Sequence, residues 1–525
     1  MAQPSKSKFK EIFRSSLFMG IATLSSRLLG LVRELSLAAI FGASGLTDAF
    51  NIAYRIPNML RDLFAEGSFS AAFVPIFAKT KADPNSEQAP ASLLWSSFIL
   101  ISLLTGVIVI GIEVFADQIV ELMTSKEYVA DQKKFQITVT LVRLMAPFLM
   151  FVSWAALFMG ALNTFKVFFI PAFAPVTFNV AMITAIVFGS KWFASNGLDP
   201  ILALGWGVLI GGVFQFMFQL PSLIKLKLGP AGPIELINPN TKKIIHRLGV
   251  GSIGIATNQI NIIVNTILAT GTVVGAVSWL SYAFRLFQFP VGILGVSVAN
   301  SNLVHFSESW KSDQKEDAIE YFKTSVDFSL TLIMLATALL FSLSEQSVHL
   351  GFERGAFDVN DTLQTQKVLK FYALGLPFYG LYKLLAPTFF AIDLPKIPVK
   401  VSMGAVAVNI VFCLLLTPKF GFIILPLGTT LSMLITSTVL SLLLTKKFNL
   451  SVFSIFGKTA LRTSLSALAT IFILQYLAVQ LFSQQDSFVF KSGIFLVLCL
   501  IGMICYMTFL FVLGERKFLK KILSK

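Results

Sequence analysis

Charged side chains recur inside two otherwise apolar stretches near the start of the chain. Residues 25–34 read SSRLLGLVRE and carry Ser26, Arg27, Arg33 and Glu34, with Gly30 between them. Residues 47–67 read TDAFNIAYRIPNMLRDLFAEG and carry Asp48, Arg55, Asn58, Arg61, Asp62 and Glu66. At helical spacing Asn51, Arg55, Asn58 and Asp62 form one polar stripe. Pro57 lacks an N–H and is expected to kink the helix nearby. A guanidinium presents its donors as a planar fork that matches phosphate or pyrophosphate by paired hydrogen bonds, which an ammonium does not. The arginines therefore point to a phosphorylated, amphipathic ligand held in a positively charged cavity. If Glu34, Asp48, Asp62 and Glu66 only neutralised Arg27, Arg33, Arg55 and Arg61, helix packing would be carrying far more buried ions than it requires. An exporter of cationic molecules would instead need a buried carboxylate facing the cavity, and Asp48 is the candidate.

The same residues argue against catalysis. No G-x-S-x-G, H-E-x-x-H or Walker motif is present, nor an aspartate-rich site for Mg²⁺ on a pyrophosphate. His246, His305 and His349 stand apart from one another and from acidic clusters, so no zinc site or histidine dyad is expected. Cys413, Cys499 and Cys505 lie in apolar runs without C-x-x-C spacing and read as packing residues. A transporter without an ATPase signature and without a cofactor is expected, driven by a gradient or by the membrane potential.

The elements that must position these residues follow from composition. Of 525 residues 55% are hydrophobic and 13% charged, with a mean hydropathy of +0.78. Soluble domains carry roughly 25% charged residues, so the expected class is an all-α polytopic membrane protein. Turn signals cut the chain into about fourteen segments long enough to span, near 14–42, 46–78, 91–115, 136–164, 168–192, 199–222, 244–270, 274–305, 324–345, 366–391, 397–417, 421–445, 457–482 and 489–514. An even number puts both termini on one side. About 26 of the 42 basic residues fall there, which makes it the cytoplasmic side by the positive-inside rule. The net charge of +15 thus reads as a topology signal, not as a nucleic-acid footprint. The first apolar segment has no small-residue cleavage site, so no removed signal peptide is expected.

Comparing the chain with itself gives matches at a shift of about 230 residues. Ala53, Arg55 and Ile56 match Ala283, Arg285 and Leu286; Leu144, Pro147 and Phe148 match Leu374, Pro377 and Phe378; Ala161, Asn163 and Lys166 match Ala391, Asp393 and Lys396. Phe169-Ile170-Pro171 also resembles Lys396-Ile397-Pro398. The unit is six helices, an even number, so the two copies share one orientation. The expected organisation is an N-lobe over 1–222 holding the cationic cavity, a C-lobe over 223–446, and a C-terminal helix pair with a basic tail over 447–525. Arg285, within YAFRLFQFP, is expected to face the cavity from the other lobe.

With these residues assembled, the chain resembles the MurJ (MviN) family of lipid II flippases, within the multidrug/oligosaccharidyl-lipid/polysaccharide exporter superfamily. The resemblance rests on SRLLGLVRE (26–34), FGASGLTDAF (41–50), RIPNMLR (55–61), FAEGSFSAAFVP (64–75), IPAFAPVTFN (170–179), GVFQFMFQLP (212–221), SWLSYAFR (278–285) and LLAP (384–387). It implies a two-lobed fold that moves lipid II, an undecaprenyl-pyrophosphate-linked peptidoglycan precursor, from the inner to the outer leaflet of the bacterial cytoplasmic membrane by alternating access. It carries the family's cavity positions onto Ser26, Arg27, Arg33, Asp48, Asn58, Arg61 and Arg285, with Glu34, Arg55, Glu66 and Asn179 as supporting residues. The implied partners are lipid II, the phospholipid membrane and the cell-wall synthesis machinery. The last two helices look like the family's extra pair, shaping a groove for the lipid tail. Phe284 and Gln288 stand where some members carry acids around the segment-8 arginine, and Leu303-Val304 and Gly249-Val250 replace the usual Leu-Pro and Gly-Pro. Rival readings are an exporter of another polyprenyl-linked glycan or of cationic drugs, a membrane-embedded enzyme acting on polyprenyl phosphates, and a scaffold of the cell-wall machinery. The missing metal-binding acids weigh against the enzyme, and the arginine cluster weighs against the scaffold.

Overall fold

The computed structural model describes residues 6–62, 68–83, 89–230, 234–236, 238–292, 296–482 and 487–514. Among them the chain is helical and no strand forms. The first half comprises α1 (Lys6–Phe41), α2 (Gly45–Arg61), α3 (Ser68–Ala82), α4 (Pro90–Val114), α5 (Ala116–Met123), α6 (Lys126–Ala130), α7 (Gln132–Met145), α8 (Phe148–Thr164), α9 (Phe169–Thr184), α10 (Ser190–Ser195), α11 (Leu202–Met217), α12 (Leu220–Lys225) and α13 (Pro239–Thr270). The second comprises α14 (Ala276–Pro290), α15 (Val296–Lys311), α16 (Lys315–Ser342), α17 (Ser344–Phe352), α18 (Val359–Ala391), α19 (Lys396–Phe420), α20 (Ile424–Lys447), α21 (Lys458–Leu481) and α22 (Phe488–Val512).

Each of the fourteen expected segments is helical over most of its length. Eight helical stretches among the described residues are long and apolar enough to cross a membrane, and they take in the third to sixth, ninth and eleventh to fourteenth segments. The chain is an all-helical, multi-pass membrane protein, and among the described residues length and composition mark these eight stretches.

The chain divides into two compact units, Met1–Gly275 and Ala276–Lys525. In the first, α1 lies along α9, α2 packs on α7 and α8, α11 on α8 and α9, and α13 on α3. Its core joins Phe50, Phe148, Leu149, Phe178, Ile186 and Val208. In the second, α18 is flanked by α14, α15, α16 and α20, while α21 packs on α16 and α22. The sequence repeat groups the segment of α13 with the second half, whereas by packing α13 belongs to the first unit.

Capping geometry repeats between the units. Phe115, joining α4 to α5, has φ −104° and ψ 20°, and Leu343, joining α16 to α17, has φ −104° and ψ 25°. Asp131 caps α7 through the Lys134 N–H, and Asp358 caps α18 through the Asp361 N–H. Lys166 and Asp393 end α8 and α18 with φ of 60° each. These pairs lie about 227 residues apart, about one helical turn short of the shift read from identities, so matched side chains keep nearly the same face.

Glycines set how closely α11 approaches its neighbours. A Cβ on Gly211 would lie 2.7 Å from the Phe178 ring and 3.2 Å from the Phe178 carbonyl oxygen, and one on Gly207 would lie 2.5 Å from the Ala185 Cβ. Small residues four apart let membrane helices pack backbone to backbone. Gly211→Val is therefore expected to force α9 from α11 and cost about 1–3 kcal/mol, read as a lower yield of monodisperse protein and a lower melting midpoint in detergent. Gly404→Val, where a Cβ meets nothing within 4 Å, should leave both unchanged.

Candidate functional site

Ser26, Gly30 and Arg33 share one face of α1, spaced by four and three residues. That face meets α9 at Asn179, a buried residue. Arg33 Nη1 donates to Asn179 Oδ1 at 3.2 Å, and Asn179 Nδ2 donates to the Ser26 carbonyl oxygen at 3.1 Å. One amide thus bridges two turns of α1 and holds the guanidinium against them. Arg33 Nη2 also pairs with Glu34 Oε1 at 2.6 Å, and its guanidinium carbon sits 5.7 Å from the centre of the Phe178 ring. The side chains of Arg33 and Glu34 are only 14% and 11% exposed. Fixed by an amide, a carboxylate and a ring, this guanidinium is already ordered before any ligand arrives.

On α2, Asn51, Arg55 and Asn58 are half-buried, as is Asp62 at its C-cap. The helix runs unbroken through Pro57 to Arg61. Arg61 Nη2 pairs with Asp62 Oδ1 at 3.1 Å, and the Asp62 N–H donates to the Asn58 carbonyl. Arg61 and Tyr54 lie within Coulombic range of Arg33. Tyr54 stacks on Phe50 and tilts against Phe148, which in turn meets Phe178, so an aromatic wall runs behind the arginines.

Asp48 and Arg55 reach α13 and its C-terminal end. Arg55 donates to the Thr266 hydroxyl. The buried carboxylate of Asp48 accepts from the Gly275 N–H at 2.7 Å. Nearby, the Ser125 N–H donates to the Thr270 hydroxyl at 2.8 Å. These contacts tie the end of α13 to α2 and to the start of α6.

The structure thus gathers Arg33, Glu34, Asn179 and the Ser26 backbone, with Arg61 in electrostatic range, and directs Asp48 and Arg55 toward α13. Arg27 lies on the exposed side of α1. Glu66 lies outside the described residues. In the second unit Arg285 is exposed on α14. Phe284 stacks on Phe287 and packs on Tyr372. Phe178, Tyr54 and Thr266 were missed by sequence reasoning. Phe178 stands inside the VTFN string that carries Asn179, which was the available signal, whereas nothing local marks Thr266.

Asn179→Ala should release Arg33 from α9 and leave the Glu34 pair. Losing a hydrogen bond to a charged group costs about 1.5–3 kcal/mol, and transport at matched membrane level should fall about tenfold. Asn179→Asp, which keeps an acceptor for Arg33, should lose less.

The family model described as "Lipid II flippase MurJ" matches residues 37–499. The chain is 37% identical over 442 residues to "Lipid II flippase MurJ" of Burkholderia cenocepacia, covering 82% of this chain and 83% of that one. It is 34% identical over 435 residues to "Probable lipid II flippase MurJ" of Buchnera aphidicola subsp. Acyrthosiphon pisum, covering 82% of each. Among solved structures it is similar to "Lipid II flippase MurJ, inward closed conformation", with a TM-score of 0.79, 26% identity, and coverage of 97% of this chain and 100% of that one. An inward-facing multidrug resistance MATE family transporter of the MOP superfamily shares the fold, with a TM-score of 0.65 at 12% identity, over 80% of this chain and 96% of that one. The chain belongs to the MurJ family of lipid II flippases.

Proposed function

We propose that the chain translocates lipid II from the inner to the outer leaflet of the cytoplasmic membrane by alternating access, for peptidoglycan synthesis, with both termini in the cytoplasm. Family membership supports the substrate, and the ordered Arg33 guanidinium on the α1–α9 face is the single observation that carries the site. Arg33 and Arg61 bind the pyrophosphate. Their partners Glu34 and Asp62 balance the two positive charges, so the ligand enters by exchange, one anion replacing another on the same guanidinium. That exchange keeps each guanidinium paired throughout, where removing one partner of a buried pair costs about 3–5 kcal/mol. Ser26, Arg27, Asn58 and Arg285 are assigned to the head group on the sequence resemblance. Lipid II and phospholipid are the expected partners, with the cell-wall synthesis machinery as consumer of the product. Transport draws on a gradient or on the membrane potential, since the sequence offers no nucleotide site.

Depletion of the resident flippase in a bacterium expressing this chain tests the reading. Sustained growth and normal shape are expected. Loss of viability at normal membrane levels of the chain would overturn it, and rescue of only a surface polysaccharide or of drug resistance would assign a different cargo.

A further inference from the structure

The second unit contains a three-residue polar relay away from the arginines. His349 on α17 donates or accepts at both ring nitrogens: Nδ1 lies 2.8 Å from Glu353 Oε2, and Nε2 lies 3.1 Å from Lys491 Nζ at the start of α22. Glu353 Oε2 also accepts from the Thr362 hydroxyl of α18 at 2.6 Å. Lys491 is only 7% exposed, and its ammonium sits 5.8 Å from the Phe482 ring, which meets His349 edge-on. Glu353, the residue that follows α17, lies four residues after His349, a spacing that lets the two pair.

An ammonium has protons to give and no lone pair to offer. The contact at Nε2 therefore requires the unprotonated nitrogen there, with the ring proton on Nδ1 donated to Glu353. A second proton would occupy Nε2 and set imidazolium against ammonium, while strengthening the pair with Glu353. Lys491 is then the member that must leave.

Among the described residues, other charges around the ring are engaged or turned away. On α17 Glu345 is exposed. Arg354, just beyond that helix, donates to the Leu350 and Gly351 carbonyls. At the head of α18 Asp358 caps the helix and Asp361 accepts from Trp279, while Lys367 is exposed and Lys370 lies further along. The last three turns of α16 carry no charged residue, and Lys491 is the one charged residue of α22. Deeper in the bilayer α22 is anchored separately, by Tyr506 donating to the Thr331 carbonyl at 2.9 Å and by Gly502 set close to Leu339 and Leu474.

We propose that Glu353, His349 and Lys491 form a proton-binding latch: the neutral ring holds the first turns of α22 against α17, and protonation of His349 releases them while Tyr506 keeps the remainder docked. The latch does not depend on the cargo. On the orientation proposed above it lies at the outer end of the membrane, where pH follows the medium.

Hydrogen–deuterium exchange of the purified full-length protein in nanodiscs tests this without reference to orientation or transport. A contact made only by the neutral ring opens as the ring takes up a proton, so opening should rise about tenfold between pH 7.5 and 5.5. Amides of residues 488–495, corrected for intrinsic exchange, should lose protection by that factor, and residues 502–510 should not. His349→Gln should abolish the step, and Lys491→Met should leave residues 488–495 equally open at both pH values. A parent protein without the step, or either variant retaining it in full, would overturn the latch.

Discussion

Arg33→Ala, at a membrane level equal to the parent's, is expected to lower lipid II translocation about a hundredfold or more, the scale for truncating one member of a buried charge pair. Arg33→Lys should lower it between about tenfold and a hundredfold: the charge survives, but the planar fork that meets pyrophosphate and Asn179 together does not. Part of the alanine effect would come from leaving Glu34 unpaired in a site where it is 11% exposed. The double variant Arg33→Ala/Glu34→Ala removes that burden. It should recover thermal stability and not transport, because the phosphate-binding group is still missing. Recovery of both would reduce Arg33 to a packing residue.

Asp48→Ala is expected to lower stability as well as transport. It strips the acceptor from the buried Gly275 N–H and an acidic group from the first turn of α2, worth about 1–3 kcal/mol and about 0.3–1 kcal/mol respectively. Asp48→Asn keeps an oxygen for Gly275 and should lose only the smaller part. Melting midpoints in detergent and translocation rates should then fall in the same order, alanine well below asparagine. Were Asp48 acting on the cargo through its charge, asparagine would match alanine in lost transport while keeping the parent's stability.

The helices and the chemistry of the first two segments were legible because both are written in local pattern. Apolar runs of bilayer length and the neighbouring pairs Arg33–Glu34 and Arg61–Asp62 depend on residues within a few positions of one another. Contacts between distant helices were less so. Asn179 could be named from its motif, but its bridge from Arg33 to the Ser26 carbonyl requires α9 to lie along α1 in one register. Asp48 could be named from its motif, but the Gly275 N–H that its carboxylate accepts lies 227 residues further along, where no local pattern marks it. His349 read as isolated although Glu353 stands one turn on; what sequence lacked was Lys491, about 140 residues away, whose arrival turns an ordinary helical pair into a relay.

The most direct test counts lipid II in the outer leaflet of cells depleted of their own flippase, expressing either the parent chain or Arg33→Ala at matched membrane levels. Parent cells should restore outer-leaflet lipid II to the level before depletion, and Arg33→Ala cells should keep it in the inner leaflet. Equal restoration by both would contradict the arginine site, and failure of the correctly inserted parent would contradict lipid II as the cargo.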